Sequence, residues 1–433
     1  MMARLLKPVL FLVLALAIFL AGPLAASAAN PVTIKVMRPG YPAEARAFFT
    51  EVQAAMTKEY PSIKLEIVDA DWNTFHTRVP IWVTGKQEPD VYLCSLTDLA
   101  GIVDVGGVLP TDHIIDAKLR EDIPGGAWEA VRYKGRIVAI PGDYAPFVLW
   151  YNKDIFKKAG LDPSKPPTTW DELLRYALKI KETGVAPIGV NLGRSSDITE
   201  LIWGMLFFSA TNHQYIDDSD RPQITSENSV KAHQFLADLV RKHKVTEPDP
   251  QLYGKGDLRL LMRDEKVAMT VDGPWLMNVL SSKINTSSAE ASKFAIAPAP
   301  RSFVEEKVPM YASTTDSWVV SAHTKYPEEA QTVLKFLLRP EWQYAHDRHV
   351  QQMPFRKSLY REPAKYPMTN NWVYRGMNAV IEKTINAHPI TPTSNADYEA
   401  IKNALVKMAT GVASVEDALA EAAATMRSAK GIK

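Results

Sequence analysis

Two rhythms of apolar and polar residues alternate along this chain. Val32 to Met37 reads as a short strand, and the stripe Ala45, Phe48, Phe49, Val52, Met56 repeats at the helical period. Tyr60-Pro61 stops that helix, and Ile63 to Val68 then alternates residue by residue like a half-buried strand. A second helix is predicted over Asn73 to Val83 with Gly85 ending it, and Pro89-Asp90 leads into a strand over Val91 to Cys94. Strands separated by helices predict a largely parallel α/β sheet, in which ligands sit beyond the carboxyl ends of the strands.

The pattern then repeats. Arg132 to Ile140 reads as a hairpin turning at Lys134-Gly135, Val148 to Tyr151 as a strand, and Asn152 to Ala159 as a short helix closed by Gly160. Thr169 and Glu172 have the spacing of a capping box. Helices are predicted over Thr199–Ser209 and Val230–Val240, and strands over Val267–Val271, Phe294–Ala297 and Ser317–Ser321. The stripe Ala330, Val333, Leu334, Leu337 and two further stripes, from Ile401 and from Val415, make the chain end in helices. An α/β pattern that occurs more than once predicts two α/β lobes.

The first residues change the picture by fixing a compartment. Arg4 and Lys7, the apolar run Val9 to Ala21, and Ala26-Ser27-Ala28 have the layout of a cleaved signal peptide over 1–28. The run is shorter than the roughly 20 residues of a membrane span. With no cysteine near that site to carry a lipid, the expected product is soluble and periplasmic. Cys94 is the single cysteine, so no internal disulfide forms, and its apolar setting predicts a buried thiol. The formal charge of +1 falls to about −1 once Arg4 and Lys7 are removed, which points away from nucleic-acid and membrane-surface partners.

Reactive constellations are missing from the sequence. His346 and His349 are spaced for one helix face and read as solvated, with no third ligand at a recognisable spacing. Arg259 to Lys266, mixed in sign, reads as a solvated helix end, and Gly254-Lys255-Gly256 as a turn. No Gly-x-Ser-x-Gly elbow and no cofactor motif is present.

Several stretches, in order, resemble the family 1 extracellular solute-binding proteins of ABC importers. They are Tyr60 to Leu65, Gly85 to Val91 and Tyr133 to Pro141. The densest is Leu149-Trp150-Tyr151-Asn152-Lys153-Asp154-Ile155-Phe156, followed by Pro167 to Leu173 and by Lys266 to Trp275 with its Asp272-Gly273-Pro274-Trp275. One departure is Glu265, where a glycine is common. The resemblance implies a type II periplasmic-binding-protein fold, two lobes joined by hinge crossovers around a ligand cleft. The expected N-lobe is 29–145 plus 301–352 and the C-lobe 146–300 plus 353–433. It also implies a monomer that delivers its ligand to a membrane permease.

A sugar site needs aromatic faces for the ring and planar polar groups for the hydroxyls. On position in strand-end loops or by the family pattern, the candidates are Tyr41, Asp71, Trp72, Ser95, Asp143, Tyr144, Trp203, Asp272, Trp275, Asp316, Trp318 and Arg356. Trp150 and Trp170 are read as packing. Two other functions fit the same chain: a binder of glycerol phosphate esters, which would want more positive charge, and an exported carbohydrate-active enzyme, which would turn its sugar over.

Overall fold

A computed structural model describes residues 31–39, 42–70, 72–192, 202–211, 215–217, 219–304, 310–313, 316–386 and 390–432. The signal-peptide reading, Tyr41 and Asp71 therefore lie outside the described residues, as do the side chains of Trp72 and Trp203. No described helix is long and apolar enough to cross a membrane.

In chain order the strands are β1 (Val32–Met37), β2 (Ile63–Val68), β3 (Val91–Ser95), the hairpin β4 (Arg132–Tyr133) and β5 (Arg136–Ile137), β6 (Ile140–Pro141), β7 (Ala145–Pro146) and β8 (Val148–Asn152). They continue with β9 (Ala186–Ile188), β10 (Val267–Asp272), β11 (Phe294–Pro298), β12 (Met310–Ser313), β13 (Asp316–Val320) and β14 (Thr384–Asn386). One sheet has the order β2-β1-β3-β13-β6 and a second β11-β8-β10-β9. In the first, β1, β2 and β3 are parallel and β13 runs against β3 and β6. In the second, β9 and β10 are parallel and β8 runs against β10 and β11.

These directions decide which ends meet. The carboxyl ends of β1, β3 and β6 share an edge with the start of β13. The carboxyl ends of β9, β10 and β11 share an edge with the start of β8. The chain leaves the first edge after β6 and enters the second at β8 through β7; it returns through β12 to the start of β13. Both passages join the same two edges, so those edges face each other. The passages pair with each other and with β14 in a linker sheet ordered β14-β12-β7.

Burial follows the period of each element. On β8, Val148 and Trp150 join one core with Phe48, Val91 and Val320, whereas Leu149 and Tyr151 join another with Leu173, Met269 and Ile401. A strand buried on both faces must split its residues this way. Cys94 is buried in the first core. Trp150 and Trp170 are both buried, as packing requires.

Local chemistry fixes the ends of the elements. Asn152 caps Lys153–Lys158 by accepting the N–H groups of Asp154 and Ile155. Thr169 accepts the Glu172 N–H, but the Glu172 carboxylate bonds the Thr168 N–H and hydroxyl, so the box is shifted by one residue. Glu265 takes a left-handed φ of 61°, the conformation that makes glycine common at such a turn, and its carboxylate is held by Lys283 and Lys293.

Candidate functional site

The edge of the first sheet carries a web of buried polar groups. β13 runs against β3 with Asp316 opposite Ser95, so the end of β3 and the start of β13 lie on the same edge. The Asp316 N–H donates to Asp143 Oδ1 at 3.2 Å, and the Asp316 carbonyl accepts the Gly142 N–H at 2.9 Å. Gly142 allows that approach: a Cβ there would lie 2.5 Å from Leu93 Cδ2. The Gln352 amide reaches Asp143 Oδ2 at 3.5 Å.

Behind these groups, Gln343 donates to Asp347 Oδ1 at 3.0 Å, and Arg38 Nε donates to His346 Nε2 at 3.3 Å. An Nε2 that accepts leaves the proton on Nδ1, which donates to Asp347 Oδ1 at 3.2 Å. The imidazole is therefore neutral, and burial together with the Arg38 charge holds its pKa well below the ordinary value. Burial likewise pushes the Asp347 carboxyl well up. His346 is thus part of the interior and not of a solvated face, because its helix packs against Phe48.

The second edge is sparser. Asp272 ends β10 fully buried and receives a two-pronged bond from Arg259, with Nε to Oδ2 and Nη2 to Oδ1 both 2.7 Å. Arg259 does not sit on a solvated helix end: its helix lies along β10, and its side chain is only 13 % exposed. Trp275, half-buried, folds back over Gly273, where a Cβ would stand 2.2 Å from its ring. Phe147 supports the indole at 5.9 Å between ring centroids, and the Arg259 guanidinium lies 6.0 Å from it.

Further along that edge, the Val190 N–H is held by the buried Glu247 carboxyl at 3.0 and 2.9 Å. Burial raises the Glu247 pKa to about 8 against the pull of the Val190 N–H.

Ser95, Asp143 and Asp316 thus gather at the first edge, and Asp272 and Trp275 at the second. Three candidates are placed elsewhere. Tyr144 is fully buried, with its hydroxyl on Thr384 of the linker sheet at 3.0 Å. Trp318 lies inside β13 against the His346 ring. Arg356 is buried, and its Nε donates to Asp122 at 2.7 Å. Arg259 and Glu247 are site groups that the sequence reading missed. Only the i, i+13 pairing of Arg259 with Asp272, visible once helix and strand are packed, singles out the first.

Two α/β sheets whose carboxyl edges face each other across paired linker strands define a type II periplasmic-binding-protein fold. The sugar-binding protein MalE of Xanthomonas citri superposes with a TM-score of 0.77 at 17 % identity, over 92 % of this chain and 98 % of that one. Residues 40–344 match the model of the bacterial extracellular solute-binding proteins, and the chain belongs to that family. A putative binding protein of Brucella abortus is 23 % identical over 73 % of this chain and 74 % of its own. The sn-glycerol-3-phosphate-binding periplasmic protein of the same organism is 30 % identical over a shorter stretch, 36 % of this chain and 39 % of its own.

Proposed function

We propose that this protein is the periplasmic substrate-binding component of an ABC importer, which closes its two lobes over a sugar and delivers it to a membrane permease. The reading includes cleavage after Ala28, a monomeric mature protein without lipid anchor or cofactor, and no chemical turnover. It takes the lobes as 29–145 plus 301–352 and 146–300 plus 353–433. The observation that carries it is the pairing of Trp275, half-buried over Gly273, with buried polar groups on both facing edges. An indole face covers the C–H face of a sugar ring, and Ser95, Asp143, Asp272 and Asp316 take hydroxyls. Tyr41, Asp71, Trp72 and Trp203 belong to the same proposal by their places in the sequence. Closure follows because the ligand binds the closed arrangement more tightly than the open one.

A second reading, a glycerol phosphate ester as ligand, is favoured by the partial likeness to the Brucella glycerol-phosphate binder. A buried phosphate wants charge-assisted donors. Here Arg259 is committed to Asp272, Arg356 to Asp122, and Arg38 to His346 and the Pro39 carbonyl. Each of the two Arg–Asp pairs is neutral within the protein, which supports the uncharged ligand.

Thermal shift of the mature protein separates the readings. Glucose, galactose, maltose, maltotriose and sn-glycerol 3-phosphate are the panel, with long incubation checked for products. A native-state ligand at a hundred times its Kd stabilises by about 2.7 kcal/mol. A shift with a sugar that is recovered intact is expected. A shift with the phosphate ester alone moves the assignment to the second reading, and consumption of the sugar overturns both.

A further inference from the structure

Asn191 occupies the second edge one strand away from Asp272. The parallel register pairs Ile188 with Met269, and continuing it places Asn191 level with Asp272. Asn191 is only 2 % exposed, yet neither its amide nitrogen nor its amide oxygen has a hydrogen-bond partner. It is the amide side chain, among the described residues, with both atoms in that condition. A buried polar group left unmet is costly, and an amide carries two such groups. Such a defect, kept at the end of a strand where ligands sit, points to a partner that arrives from outside.

The backbone around it is firmly held. The Val190 N–H is bound by Glu247, the Leu192 N–H donates to the Pro250 carbonyl, and Val190 and Leu192 are both in the core. The amide is therefore presented on a fixed strand end, the condition for pre-organised recognition.

We infer that Asn191 is a ligand-contacting residue of the second lobe and that it recognises a polyol by meeting adjacent hydroxyls. The argument is one of complementarity. A planar amide offers one acceptor and an NH₂ donor side by side. Two neighbouring sugar hydroxyls offer a donor and an acceptor in return. A phosphate dianion offers acceptors alone and leaves the Asn191 oxygen unmet, and an ammonium offers donors alone and leaves the nitrogen unmet. This inference rests on the proposed sugar reading and adds a residue and a selection rule to it.

The test is N191L, which keeps the branching at Cγ and the number of side-chain heavy atoms, with the smaller N191A as a second variant that adds no bulk. Melting temperatures are measured without ligand, and titration calorimetry is run with glucose, galactose, maltose and maltotriose. Wild type is expected to bind at least one of these sugars. Both variants are expected to bind it about ten- to a hundredfold more weakly, the loss typical of a buried hydrogen-bond pair. N191L is also expected to melt no lower than wild type when empty, because it removes two unmet polar atoms. A purely structural amide would give the opposite pattern. If the wild type binds a sugar and the variants bind it equally well, or if N191L melts clearly lower when empty, the assignment of Asn191 falls alone. If the wild type binds none of the four sugars, the sugar reading falls, and this inference with it.

Discussion

The two facing edges solve the problem of buried polarity differently. At the first, Asp143, Asp316, Gln343, His346, Asp347 and Arg38 bond one another across several chain segments, while Asp347 Oδ2 and Gln352 Oε1 stay without a partner. At the second, one Arg–Asp pair and one indole stand beside an amide with neither atom bonded. A web of this kind fixes shape, and open valences select a ligand. In the proposed function the first edge serves as a cross-bonded frame, and the second, with Trp275 and the wholly unbonded Asn191 amide, carries the choice of ligand.

The largest expected effects come from the two buried ion pairs, Arg356 with Asp122 and Arg259 with Asp272. Breaking such a pair by removing one partner costs about 3–5 kcal/mol, because a charge is left buried and alone. Arg356→Ala strands Asp122, and Arg259→Ala strands Asp272, whose side chains are 8 % and 0 % exposed. Both variants should unfold at markedly lower urea concentration. The comparison is sharpened by titration of the folded fraction: R356A should keep sugar affinity, and R259A, which also lies beside Trp275, should lose it. Equal affinity in both would break the contrast between frame and selecting edge.

The buried carboxyls Asp122 and Glu247 should also respond to pH in opposite directions. Burial raises the Asp122 carboxyl, but the Ser358 hydroxyl and N–H and the Arg356 charge more than offset it and hold the pKa below the usual value. A depressed carboxyl contributes stability that is present above its unfolded pKa and lost as pH falls through the folded one. Glu247 is raised from 4.5 to about 8 by burial. Its contribution is present below the unfolded value and is lost as pH rises through about 8. Urea melts from about pH 5 to pH 9 should show E247Q gaining on wild type with each step upward. A constant difference between the two proteins across that range would show that Glu247 does not titrate with folding.

How much of this was legible in the sequence depends on how local the signal is. β1, β2, β8, β10 and β11 were readable because alternation, continuous apolar runs and flanking turns lie within a few residues. The α/β class and the Thr169 cap were legible for the same reason. β12 and β14 were not, since such short strands owe their identity to partners, Met310 to Thr384 and Ala312 to Pro146, far away in the chain. The site divides the same way. Trp275 and Asp272 sit in a recognisable Asp-Gly-Pro-Trp step, whereas Arg259, His346 and Glu247 look like surface residues until packing buries them. Of the helix expected over Thr199–Ser209, Thr199 to Leu201 lie outside the described residues and the rest is helical over Ile202–Thr211; the helix expected over Val230–Val240 spans Glu227–Ala237 and runs on into a π-helical turn over Asp238–Lys242.

Trp275 offers a middle-sized test of the selecting edge. Its indole rests on Gly273 and Phe147 and is half-buried, so truncation removes little core. An aromatic contact contributes about 0.5–1.5 kcal/mol beyond the area it covers. W275A should weaken sugar binding about tenfold or more while moving the melting temperature of the empty protein slightly. W275F, which keeps an aromatic face, should recover part of the affinity. A large drop in melting with unchanged affinity would place Trp275 in the frame instead.

The smallest expected effect concerns a contact between the lobes. Asn395, near the start of the helix Ser394–Thr410 in the second core, donates to Asp98 Oδ1 at 3.0 Å, on the helix Leu96–Asp104 that follows β3. That bond joins elements of the two lobes beside the first edge, so it favours arrangements in which the lobes are together. One hydrogen bond of this kind is worth about 0.5–1.5 kcal/mol. By population shift, Asn395→Ala should then raise the share of open molecules and weaken sugar binding by up to about tenfold, since the ligand must do more of the closing itself. Small-angle scattering should give a larger radius of gyration for empty N395A than for empty wild type, and equal radii for the two sugar-saturated proteins. Equal radii without sugar, with equal affinities, would mean that the linker sheet alone sets the distance between the two edges.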